Sequence, residues 1–169
     1  EMCIRDRYTV GIITSSDKGY AGEREDKSGA VVKELVEAAG FTVVKQVILP
    51  DEKEMLENEF KVMSDELKVN LILSTGGTGF SKRDITPEAT KAIIDREAHG
   101  ICEAIRMYSM QITKRAMLSR AVSGIRKDTL IVNLPGSPKA CKEALDYALD
   151  DIKHGIDILL GTSKECARK

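Results

Sequence analysis

The chain of 169 residues has no tryptophan, only 4% aromatic residues and a formal net charge of −1. A sequence of this kind offers nucleic acid neither a basic footprint nor stacking platforms, so no nucleic-acid partner is expected. No apolar run approaches the ~20 residues needed to cross a bilayer, and the first residues lack the apolar core of a secretion signal. A cytoplasmic protein with no membrane partner is the expectation. The four cysteines, Cys3, Cys102, Cys141 and Cys166, include no C-x-x-C pair, which argues against a zinc site or disulfide framework and for reduced thiols. His99 and His154 match no metal-ligand spacing, so any metal should be held by oxygen. There is no G-x-G-x-x-G after the first β-rich run and no G-x-x-x-x-G-K-[ST] anywhere, so dinucleotide binding and P-loop hydrolysis both lack their usual motif.

The chain does carry 42% hydrophobic residues, enough for one substantial core. One domain over residues 8–161 is expected, preceded by a charged leader (1–7) and followed by a polar tail (162–169). Residues 8–15 read as a strand that ends in a long charged loop. Ser28 is the expected cap of a helix carrying Val31, Val32, Leu35, Val36 and Ala39, with Gly40 as its stop. Residues 41–49 read as a second strand. Asp51 to Glu54 then have the form of a capping box for a helix showing Leu56, Phe60, Met63 and Leu67 on one face. A third strand at 70–75 is followed by helices over 87 to about 95 and about 100 to 113. A β-rich pair at 121–125 and 129–134 precedes a long helix that starts at Ser137-Pro138 and runs towards Leu160. Strands alternating with helices predict an α/β fold: a single-domain, three-layer, Rossmann-like, mostly parallel sheet with helices on both faces. In such a sheet the loops at 15–17, 50–51, 76–84 and 134–137 emerge at one edge and converge on one cleft.

The richest segment is Thr75-Gly-Gly-Thr-Gly79 followed by Arg83-Asp84-Ile85-Thr86-Pro87. Three glycines within four positions let the backbone approach a ligand and gather N–H groups into one concavity, which suits phosphate oxygens. The loop lies at a strand's carboxyl end, where open α/β sheets bind ligands. Thr86 as N-cap and Pro87 as first helical residue would then open a helix whose dipole favours an anion.

An ordered set of motifs resembles the molybdopterin adenylyltransferases, the MogA/MoaB-like and gephyrin G-domain type of molybdenum cofactor biosynthesis proteins. The set comprises S-S-D at 15–17, E-D-K-S-G at 25–29, L-P-D-E at 49–52, T-G-G-T-G-F at 75–80 and R-D-I-T-P-E-A-T at 83–90. It continues with A-M-L-S-R at 116–120, G-I-R at 124–126 and L-P-G-S-P-K-A at 134–140. The resemblance implies Mg²⁺-dependent transfer of AMP from ATP to the molybdopterin phosphate, with release of pyrophosphate. It implies a homotrimer and a separate partner protein for molybdenum insertion. Carried onto the matching positions, it makes Asp51 and Asp84 the catalytic, metal-holding carboxylates. Gly76, Gly77, Thr78, Gly79, Pro135, Gly136 and Ser137 become the nucleotide-binding backbone, and Ser16, Asp17, Asp26, Ser119 and Arg120 the substrate contacts. The alternative within the same fold is an inactive molybdopterin carrier or scaffold.

Each of these residues also has a plainer reading. Asp51 has the position of a helix cap, Asp84 that of a loop carboxylate paired with Lys82 or Arg83, and Asp17 and Asp26 those of solvated loop charges. Arg120 suits a carboxylate at a subunit contact as well as a ligand. Met107, Met110 and Met117 read as core or oligomer interface rather than as a cofactor box. His99 before Gly100, where a proline is common in the family, and the pair Lys114-Arg115 depart from the family pattern. With Arg120, that pair would form a local basic patch for an anionic substrate tail.

Overall fold

The computed structural model describes residues 7–162. Residues 1–6 of the expected leader and 163–169 of the expected tail, with Cys3 and Cys166, lie outside the described residues. Six strands, β1 (Thr9–Ser15), β2 (Thr42–Leu49), β3 (Leu71–Thr75), β4 (Arg96–Glu97), β5 (Ser123–Arg126) and β6 (Thr129–Leu134), form one sheet in the order β2-β1-β3-β6-β5-β4. The first four in that order are mutually parallel, while β5 runs antiparallel to β6 and β4. The helices are α1 (Asp17–Tyr20), α2 (Lys27–Ala38), α3 (Lys53–Lys61), α4 (Thr86–Ile93), α5 (His99–Ile112) and α6 (Pro138–Leu159).

The central strands are apolar on both faces, and alternate residues feed two separate cores. Val10, Ile12, Leu71, Leu73, Leu130 and Val132 pack under α2, α5 and α6. Ile13, Ile72 and Ile131 face the other way and pack with Leu56, Phe60 and Met63 and with Ala89 and Ile93 of α4. This is the expected three-layer arrangement, and each fully buried large side chain contributes on the order of 1.5–3 kcal/mol by leaving water. Register aligns the strand ends: Ser15 stands opposite Leu49, Thr14 opposite Thr75, and Thr75 opposite Leu134. The chain leaves β1 for β2 on one side and returns to β3 on the other, so a crevice opens between the carboxyl ends of β1 and β3.

Several local readings are corrected. The cap of α2 is Asp26, whose carboxylate accepts from the Gly29 N–H at 2.8 Å. Ser28 uses its hydroxyl elsewhere. The N-cap of α3 is Glu52, with no side-chain cap bond, so the Asp51 capping box does not form. Ile85 caps α4, and Thr86 is its first residue. A π-helical turn, Val62–Glu66, continues α3 and adds residues to one turn, which rotates Leu67 out of the apolar face and leaves it exposed. Helix α4 stops at Ile93, and the short edge strand β4 occupies residues read as helix or connection. Met107 and Met117 are 66% and 59% exposed, so they are not core. Cys102 and Cys141 are free and buried.

Candidate functional site

The four loops do converge. Ser15 and Ser16 after β1, Asp51 after β2, Gly76 and Gly77 after β3, and Gly136 after β6 line one polar cavity of roughly 800 Å³. A second cavity of roughly 430 Å³ lies on the other side of the glycine loop, walled by Ile105, Ala116, Ala121 and Pro135, with Ser119 and Arg115 also on its lining. The two cavities share Gly77, Asp84 and Gly136.

The backbone around this shared wall is held by buried hydroxyl groups. Thr86 Oγ1 donates to Gly76 O at 2.9 Å, and the Thr86 N–H donates to Gly77 O at 3.1 Å. Thr75 Oγ1 donates to Pro135 O at 2.6 Å, where the Cys141 thiol also donates at 3.0 Å. Ser28 Oγ donates to Gly136 O at 2.6 Å. Each peptide unit is planar and trans, so anchoring its carbonyl turns its N–H the opposite way. The amides of Gly77, Thr78, Gly136 and Ser137 therefore face away from these anchors, as an oxyanion receptacle requires. Gly76 and Gly77 have φ of +91° and +71°, and a Cβ on Gly76 would lie 2.4 Å from the Ser15 carbonyl oxygen. Only glycine permits that approach of the β3 loop to the β1 loop.

Both proposed metal carboxylates are oriented. Asp51 Oδ1 accepts from Ser15 Oγ at 2.6 Å and Oδ2 from the Asp17 N–H at 3.2 Å, while Asp84 Oδ2 accepts from the Ser81 N–H at 3.0 Å. Asp84 does not pair with Arg83. That guanidinium instead grips Asp17 with two hydrogen bonds of 3.0 Å and reaches Glu52 at 2.8 Å. Arg83 beside it, with the Asp51 amide, holds the Asp17 carboxyl below the usual carboxylate range. No group of three or more potential His, Cys, Asp or Glu ligands occurs among the described residues. Two carboxylates on a cavity lined by backbone donors make no all-protein cage. They fit Mg²⁺, which takes a few carboxylate oxygens and completes its octahedron with phosphate oxygens and water.

The other candidates separate. Ser16 and Asp26, expected on the substrate side, line the polar cavity together with Gly76, Gly77, Gly136 and Ser137. Thr78, Gly79, Pro135 and Ser119 line the smaller cavity. Asp26 is tied on both oxygens, to the Gly29 N–H and to Thr14 Oγ1 at 2.7 Å. Arg120 works as a brace: it pairs with Glu88 and donates to Gly79 O at 2.7 Å and Asp84 O at 3.0 Å, and its N–H holds Thr78 O at 2.8 Å. Arg120, expected in a basic patch with Lys114 and Arg115, is committed to these acceptors and finds its carboxylate within its own chain. Arg115 lines the smaller cavity.

Residues 11–154 match the family described as the probable molybdopterin binding domain. The chain belongs to that family. It is 36% identical to the molybdopterin adenylyltransferase of Helicobacter pylori strain J99, over 95% of this chain and 92% of that one. It is 39% identical to the molybdopterin adenylyltransferase of Escherichia coli K12, over 87% and 78%. The crystal structure of the molybdopterin biosynthesis enzyme MoaB from Thermus thermophilus superposes with a TM-score of 0.86 at 41% identity, over 91% of this chain and 97% of that one. The matched segment takes in part or all of each of the six strands, beginning two residues into β1, and the Rossmann-like architecture is the one expected.

Sequence reasoning missed the anchors of this domain's site. Thr75, Ser28 and Cys141 act on carbonyls 6 to 108 residues away. The available signal was a hydroxyl at the carboxyl end of a buried strand, where an apolar residue would otherwise stand.

Proposed function

We propose that this protein is a molybdopterin adenylyltransferase that moves AMP from ATP onto the terminal phosphate of molybdopterin and releases pyrophosphate. The observation that carries the reading is the wall of Gly77, Asp84 and Gly136 common to the two cavities. ATP occupies the polar cavity, with its phosphates against the oriented amides. The pterin occupies the smaller, more apolar one, and its phosphate reaches the shared wall. A phosphate oxygen of molybdopterin forms a bond to the α-phosphorus, the bond from that phosphorus to the bridging oxygen breaks, and the electron pair stays with the departing pyrophosphate. No nucleophile from the protein is required, and the two thiols are unsuited to the role, since burial pushes both up, Cys141 to about 11.

The work of this chain is positioning and charge stabilisation, the main needs of nucleotidyl transfer. Ser15 and the Asp17 amide orient Asp51; the Ser81 amide orients Asp84. These two carboxylates would hold Mg²⁺, which when bound offsets phosphate charge. The wider proposal is a cytoplasmic homotrimer that passes its product to a separate protein for molybdenum insertion. No helix among the described residues is long and apolar enough to cross a membrane. The test is incubation of the purified protein with molybdopterin, ATP and Mg²⁺, with chromatography for adenylylated molybdopterin and a coupled assay for pyrophosphate. Stoichiometric appearance of both supports the reading. Tight molybdopterin binding without either product replaces it with a carrier role, and light scattering at working concentration tests the trimer.

A further inference from the structure

We propose that Arg24 and Lys27 form a subsite for the pyrophosphate end of the bound triphosphate, an inference that rests on the adenylyl-transfer reading above. They are the basic residues on the lining of the polar cavity, which also carries the carboxylates of Glu25, Asp26, Asp51 and Asp84. Four carboxylates against two cations repel a polyanion unless part of that charge is occupied. Asp84 belongs to the shared wall and Asp51 lies beside its Gly77, and this is the pair that would hold the metal. Arg24 and Lys27 line only the polar cavity, on the segment that runs from β1 to α2.

Neither cation is already spent. Among the described residues neither takes part in an ion pair, although acidic neighbours surround them. Asp26, adjacent to Lys27 in the chain, has both oxygens committed to the Gly29 N–H and Thr14 Oγ1. Those bonds fix the segment to the end of β1. The Ser28 hydroxyl on Gly136 O, at 2.6 Å, fixes it to the opposite backbone wall. Two side-chain charges without an ion pair are thus carried on a framed stretch of backbone that lines the same cavity as Gly76 and Gly77 of the glycine loop. When the bond between the α-phosphorus and its bridging oxygen breaks, negative charge grows on the β-phosphate. A guanidinium and an ammonium there stabilise the leaving group, and Arg24 adds the capacity for two parallel hydrogen bonds.

The experiment is calorimetric titration of the full chain with inorganic pyrophosphate and, separately, with AMP, in the same Mg²⁺ buffer. The proteins compared are the wild type, Arg24→Gln, Lys27→Gln and the double variant. A melting curve for each variant checks that the fold is kept. The expected result is a loss of about tenfold or more in pyrophosphate affinity for the double variant, with AMP affinity unchanged and Lys27→Arg near wild type. Equal pyrophosphate affinity across the set, or equal losses for pyrophosphate and AMP, overturns the subsite. A chain that binds pyrophosphate through these residues yet makes no adenylylated molybdopterin keeps the subsite and overturns the transferase reading. Product formation with pyrophosphate affinity untouched overturns the subsite alone.

Discussion

Asp17 and Asp51 hold each other in both directions. The Asp17 N–H donates to Asp51 Oδ2 at 3.2 Å, and the Asp51 N–H donates to Asp17 Oδ1 at 3.0 Å. The loops after β1 and β2 are thereby locked together, and the Asp51 carboxylate is aimed by the Asp17 main chain on one oxygen and the Ser15 hydroxyl on the other.

Asp51→Asn keeps an acceptor for Ser15 or Asp17 and is expected to fold, because α3 does not use this side chain as a cap. Loss of the charge is expected to lower adenylyl transfer by roughly 100-fold or more. Pyrophosphate release measured beside a melting curve checks this. Near-wild-type turnover would reduce Asp51 to a structural link between loops.

The Arg83 clamp has an acid signature. Its hydrogen bonds hold the Asp17 carboxyl below the usual value of 3.8, so the folded state binds its proton less readily than the unfolded chain does. Stability from this pair is present above 3.8 and is lost as pH falls through the lower folded value. Arg83→Gln is expected to move the Asp17 carboxyl back up in an NMR titration and to remove this acid-dependent component of unfolding. An unchanged Asp17 titration curve would show that Arg83 does not hold it in solution.

Gly76 and Gly136 lie side by side beyond the ends of β3 and β6 yet differ in what they tolerate. At Gly76 a Cβ meets a main-chain oxygen at 2.4 Å with φ at +91°, while at Gly136 its nearest neighbour is 3.5 Å away, an ordinary contact. Gly76→Ala is expected to cost about 1–3 kcal/mol from backbone strain alone, with the clash added, and Gly136→Ala within about 0.5 kcal/mol. Urea unfolding of the two variants decides, and equal losses would contradict the close approach of the β1 and β3 loops.

These contrasts mark what a sequence exposes and what it hides. Strand β3 was legible because a strand covered on both faces must be apolar throughout, and the glycine loop was legible because positive φ leaves a compositional trace. Caps were harder. Asp26 and Ser28 both suit the start of α2, and only the position of Gly136, 108 residues further on, shows why the serine is drawn away and the aspartate caps. The π-helical turn after α3 has no signature in spacing, so Leu67 was placed on the wrong face. Arg83 and Arg120 were legible as cations within motif segments, but their acceptors include backbone oxygens and carboxylates from other loops, which no motif spells out.

Cys141 predicts an alkaline weakness. Burial pushes its thiol up to about 11 from 9.0, so as pH rises past 9 the unfolded chain gives up a proton that the folded protein retains. Stability is expected to fall between those two values, by about 3 kcal/mol in total. Cys141→Ala should lose the corresponding slope in guanidinium unfolding measured from about pH 8 to 11. In the native protein at about pH 7.5, maleimide should leave Cys141 and Cys102 unmodified, and rapid labelling of either would contradict their burial.

With Gly77, Asp84 and Gly136 as the common boundary of two otherwise separate chambers, each chamber has its own set of walls. A change at Ile105, Ala116 or Ser119 reshapes the lining of the smaller chamber and leaves that of the polar one intact. The three boundary residues line both, so a change there alters the two chambers at once even where, as at Gly136, the fold itself has room for it. The fold therefore partitions its own tolerance: a narrow hinge of identity between two regions that are free to diversify independently.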